Sequence, residues 1–119
     1  MAEGKASIEM LVERIFESRN AAHRVHWKTK SFAEHMALGD FYDRIVDQID
    51  GIVEDYQGGK GLIKTDADTA GLVYHLTAEA KWIEDNREAI ANGSASVLNK
   101  LDDLVGSYRT TLYKLKHLD

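Results

Sequence analysis

Along this chain the apolar residues recur at intervals of three and four, the spacing of a helix with one buried face, in four successive stretches. The first carries Ile8, Leu11, Val12, Ile15, Phe16 and Ala22, and the second Leu38, Tyr42, Ile45, Ile49, Val53 and Tyr56. The third carries Leu72, Val73, Leu76, Ala80, Ile83 and Ile90, and the fourth Val97, Leu101, Leu104, Val105, Tyr108, Leu112 and Leu115. Each stripe is backed by a polar face, as a helix packed on its neighbours requires. No stretch alternates with the period of a strand over a useful length, and no internal repeat is visible.

Proline is absent, so nothing breaks a helix from within. The breaks are instead drawn by glycine: Gly58, Gly59 and Gly61 mark one, Asn92-Gly93-Ser94 a second, and Thr29 to Phe32 a weaker third. Ser31 with Glu34 three residues later reads as a capping box. Asp66 or Asp68 opens the third helix, and Ser94 or Ser96 the fourth. The expected helices cover roughly residues 5–29, 33–57, 67–91 and 95–117. Short connections make sequential helices antiparallel, so the expected fold is all-α, an up-down-up-down four-helix bundle forming one domain over residues 1–119.

Composition narrows the setting. At 44% hydrophobic and 29% charged residues the chain has the balance of an ordinary globular protein. It has no cysteine, which removes disulfides and thiolate metal sites. Met1 to Glu9 lacks an apolar core of the signal-peptide kind and reads as the lead-in to the first helix. No apolar run approaches the roughly 18 residues of a membrane span. With a net charge of −5 and its Lys and Arg scattered singly, the chain is not expected to bind nucleic acid directly. The setting expected is the cytoplasm, away from membranes.

Most of the chemistry lies between His26 and Gln57. Asp43, Asp47, Asp50 and Glu54 are spaced four, three and four apart, within a strip roughly 60° wide on the second helix. That strip is displaced from the apolar stripe by roughly 110–150°, so Asp50 and Glu54 flank the helix's own core, where another subunit can cover them. His35 sits between the two. Carboxylates with imidazole suit iron, manganese or zinc, and an oxygen-rich set leans toward iron or manganese. A solvated acidic face is the plainer reading of the same strip. No glutamate has a histidine three residues later, so the Glu-x-x-His motif of di-iron bundles is missing. Nor is there a nucleophile elbow, a P-loop or a dinucleotide fingerprint.

His26-Trp27, Phe32, His35, Tyr42-Asp43, Asp50 and Glu54 together resemble the Dps-type miniferritins of the ferritin-like superfamily. The phrase from His26 to His35 (HWKTKSFAEH) and the stretch Glu54-Asp55-Tyr56-Gln57-Gly58 also resemble small proteins of marine bacteriophages. The resemblance implies a ferritin-like fold and a metal site at a two-fold interface of a homodimer or larger homo-oligomer. His26 and His35 would come from one subunit, and Asp50 and Glu54 from its partner. The metal implied is iron or another divalent ion, and the activity at most ferroxidase-like. The chain departs from that family at three points. Gly39 stands where the family has a third ligand, and Asp40 beside it is rotated by roughly 100°. The histidines are only nine residues apart. A lysine-rich tail and room for an extra short helix after the second helix are both lacking, so cage formation and DNA coating do not carry over.

Among the remaining residues, Trp27 reads as a packing anchor, His23 as a surface residue and His117 as an inert helix end. His75, Glu79 and Trp82 share one side of the third helix, either as a contact patch or as an ordinary side-chain pair. Two readings follow. One is a metal-binding miniferritin-like homo-oligomer; the other is a metal-free helical bundle of phage origin with a structural or interaction role and no enzymatic activity.

Overall fold

The structure is a computed structural model that describes residues 5–118; the first four residues of the expected N-terminal lead-in lie outside them. The fold class is all-α with four helices, as the periodicity requires: α1 Ile8–Lys28, α2 Phe32–Lys60, α3 Thr69–Ala91 and α4 Ala95–His117. The described residues form two compact units, divided after Thr65, each an antiparallel helical hairpin.

Each helix starts where a short polar side chain accepts a hydrogen bond from an otherwise orphaned N–H. Ser7 accepts from Met10 and Ser31 from Glu34, both at 3.2 Å. Asp68 accepts from Gly71 at 2.7 Å and Ser94 from Val97 at 3.2 Å. These caps fix the choices the sequence leaves open: Asp68 over Asp66, and Ser94 over Ser96. They also explain why α1 begins at Ile8 and α3 at Thr69, later than the starts expected near residues 5 and 67.

An equal difference, of three residues, is at the end of α2, expected at 57. The helix runs through Gly58 and Gly59 to Lys60 and stops at Gly61, whose φ of 96° suits a residue without Cβ. Glycine lowers helix stability without ending a helix when the ladder can continue. Beyond the stop, Ile63 N–H donates to Gln57 Oε1 at 3.1 Å, and Lys64 N–H to Glu9 Oε2 at 2.8 Å. The Lys64 contacts hold the Glu9 carboxyl below its ordinary pKa. The segment after α2 is thereby tied back to the first turn of α1.

The core of the first hairpin is thin. Ile49 is 2% exposed, with Ala22 and Ile45 also buried. Burying an isoleucine side chain contributes roughly 1.5–3 kcal/mol. The second hairpin buries Ala80, Ile83, Ala91, Val105 and Leu112. It turns through Asn92 in the left-handed region, φ 49°, and Gly93, φ 87°. Arg87 clasps Asp102 across α3 and α4 with Nε–Oδ1 at 2.9 Å and a terminal nitrogen on Oδ2 at 2.7 Å, and Arg109 bonds Glu84. No helix among the described residues is long and apolar enough to cross a membrane.

Candidate functional site

The turn from α1 to α2 is three residues long, and hydrogen bonds hold it from both sides. Ser31 N–H donates to the Thr29 hydroxyl at 3.1 Å, and that hydroxyl donates to Glu34 Oε1 at 3.1 Å. A simple capping box would have Glu34 reach the Ser31 N–H directly; here Thr29 relays the second half of the motif.

Above this turn the rings of His26 and His35 stack, 3.6 Å between centroids and 20° between planes. Each imidazole bonds the other residue's main chain: His26 Nδ1 lies 2.7 Å from the His35 carbonyl oxygen, and His35 Nδ1 lies 3.0 Å from that of His26. A carbonyl oxygen only accepts, so both Nδ1 atoms carry the proton. In the neutral rings both Nε2 atoms therefore hold a lone pair. An imidazole tied through Nδ1–H to a backbone carbonyl, with Nε2 left as the donor, is the arrangement of a metal-ligating histidine.

Gly39 belongs to the same assembly. A Cβ built there would stand 3.2 Å from His26 Cε1 and 3.5 Å from its Nδ1. The missing side chain is thus the space that lets the His26 ring lie against α2. Sequence reasoning treats Gly39 as the loss of a ligand; the structure gives it a steric role.

His23 is half-buried and stacked, not simply a surface residue. Its ring lies 3.9 Å from Tyr42, at 18°, and 4.1 Å from Trp27. The Arg19 guanidinium stands 5.6 Å from the Tyr42 ring centroid. Partial burial, then the Arg19 charge and then His26, hold the His23 pKa below its ordinary 6.5. The spacings His23 to Trp27 on α1 and His35 to Gly39 on α2, one turn each, are the signals in the sequence for these contacts. Trp27 is 71% exposed, so it covers His23 on one face but anchors no core.

The two carboxylates sit elsewhere on the hairpin. Asp50 and Glu54 are exposed on the rim of a cleft of about 250 Å³ whose walls include Val12, Phe16, Ile49, Val53 and Ile63. Fifteen residues separate His35 from Asp50, about 22 Å along a helix. His26 and His35 are brought together, then, and so are Asp50 and Glu54, but the pairs are not joined within one chain. Among the described residues no three His, Asp or Glu side chains form a group able to hold a metal ion.

The arrangement defines an all-helical protein whose first hairpin carries an oriented imidazole pair at its turn and a carboxylate pair by an apolar cleft. The chain belongs to the DUF5856 family, a family of unknown function, whose model matches residues 26–115. That match begins at His26 and takes in all four candidate ligands. No curated protein and no solved structure matches the chain.

Proposed function

We propose that the chain is a ferritin-like, Dps-related metal-binding protein of the cytoplasm. In this reading it holds iron or another divalent metal at a homodimer interface, with His26 and His35 from one subunit and Asp50 and Glu54 from the other. The observation that carries it is the reciprocal bonding of the two histidines, which fixes both rings with Nε2 as the free donor. Two imidazoles alone leave a metal under-coordinated, and two carboxylates from a second copy complete a four-donor set suited to iron or manganese. A bound metal there would supply redox or Lewis-acid chemistry. The protein's own part is to orient the imidazoles by tying each Nδ1–H to a main-chain carbonyl.

The competing reading, a metal-free bundle of phage origin, draws on the exposure of Asp50 and Glu54 and on the lack, among the described residues, of three possible ligands in one group. Metal content separates the two. The protein is purified without chelator, exposed aerobically to ferrous iron, and compared with His35→Ala. Stoichiometric iron in the parent and none in the variant is the expected result. No iron in either protein would leave the second reading.

A further inference from the structure

We propose that Trp27 of one copy of this chain seats in the cleft between α1 and α2 of a second copy, and that the second copy returns the same contact. The idea rests on the split-site reading and deepens it; the second copy is argued as the occupant from four features of the first hairpin.

The first is a large apolar side chain without a place. Trp27 is 71% exposed, and its neighbours across the turn, Phe32 and Met36, are 74% and 49% exposed. Exposed tryptophan on a small protein is a mark of an interface. The second is a place without a side chain. The cleft walled by Val12, Phe16, Ile49, Val53 and Ile63 has a volume of about 250 Å³. That is below the ~300–1,000 Å³ of small-molecule sites and closer to the size of one large side chain. Trp27 cannot fill the cleft of its own chain, because Val12 and Phe16 lie 11 to 15 residues back along α1, about 16–22 Å.

The third feature is charge. Arg19 and Arg24 surround Trp27 in a shallow pocket with Asn20 and His23. Asp50 and Glu54 rim the cleft, and Asp47 lies one turn before them on the exposed strip. Neither arginine and none of these carboxylates joins an ion pair among the described residues. The fourth is register. His26 stacks on His35, and Val12 shares the cleft with Ile49. Residues of α1 and α2 whose numbers add to about 61 are therefore level, as antiparallel helices of equal rise require. A two-fold contact pairs i with j and j with i. Placing Trp27 at the level of the partner's Val12 brings Arg24 level with the partner's Asp47. It also brings His26 to within about one turn of the partner's Asp50. One operation thus seats both tryptophans, pairs opposite charges and carries Asp50 of each copy toward the partner's imidazole pair, with Glu54 one further turn along α2, about 9 Å from the level of His26.

The test is dimerisation, followed by sedimentation over a dilution series, with tryptophan emission as a second readout. In a Trp82→Phe background Trp27 is the sole tryptophan, excited selectively over the tyrosines at the red edge of the absorption band. Its emission should be blue-shifted in the dimer and move to the solvated wavelength on dilution. Trp27→Ala should weaken the dimer by roughly thirtyfold or more, as loss of an interface anchor does. Val53→Trp, which fills the cleft from within, should weaken it comparably, with helix content by circular dichroism unchanged in both. His35→Ala should lose iron but keep the dimer. A dimer that depends on Trp27 and yet binds no iron would uphold the contact while removing the metal reading. A protein that stays monomeric, a dimer whose Trp27 emits as solvated, or a dimer indifferent to both Trp27→Ala and Val53→Trp would overturn it.

Discussion

Gly39 is the residue at which steric and chemical arguments divide. As an interior helix position it lowers stability relative to alanine by about 0.8–1 kcal/mol on propensity alone. A Cβ there would stand 3.2 Å from His26 Cε1, tight enough to move the ring by a few tenths of an ångström. Gly39→Ala is therefore expected to leave the fold intact and its thermal stability equal or higher, while loosening the bond from His26 Nδ1 to the His35 carbonyl. Iron or manganese affinity should fall by an order of magnitude, as loss of an orienting contact does at metal sites. Calorimetric titration beside a melting curve separates the two effects. Equal metal affinity in both proteins would remove Gly39 from the site. Any side chain placed here to restore the ligand that the Dps resemblance leads one to expect meets the same obstacle at its Cβ before its donor atoms can act.

At the scale of the helix, most of what the structure contains is legible from spacing. The stripe Ile45, Ile49, Val53 finds the buried side of α2, and Ile49 is its most covered member. The glycine cluster is misread because glycine permits a turn without imposing one: α2 continues through Gly58 and Gly59, and only Gly61 takes a positive φ. Capping residues are seen as types but not chosen among neighbours, since Asp66 and Asp68 carry the same chemistry and only the chain path decides. The Thr29 relay is invisible to a motif that looks only at positions N-cap and N3. It makes a definite prediction. Ser31→Ala removes the acceptor for Glu34 N–H and should cost about 1 kcal/mol. Thr29→Val, which keeps the shape and deletes only the relay, should cost less. Urea midpoints of the two variants test that order; equal costs would mean that cap and relay share the turn, and reversed costs that the relay holds it.

For the whole molecule, the sequence carries the identity of the candidate ligands but not their grouping. His26 and His35 are nine residues apart and meet because a three-residue turn folds α2 back on α1. Asp50 and Glu54 share a face of α2 far from that turn, and no pattern in one chain can report a contact between two. Complementation between variants can. His35→Ala and Asp50→Asn each damage a different half of the proposed site, so each alone should bind no metal. After the two are unfolded and refolded together, about half of the dimers are mixed. Each mixed dimer holds one undamaged site, built from the imidazoles of the Asp50→Asn chain and the carboxylates of the His35→Ala chain. Metal content should then recover to about one quarter of the parent value. A site contained within one subunit cannot be rescued by mixing, because every subunit in the mixture is defective. Recovery near a quarter would establish sharing between copies without any knowledge of the metal's identity. Full binding by either variant alone would remove its mutated side chain from the ligand set, and no recovery on mixing would remove the shared interface.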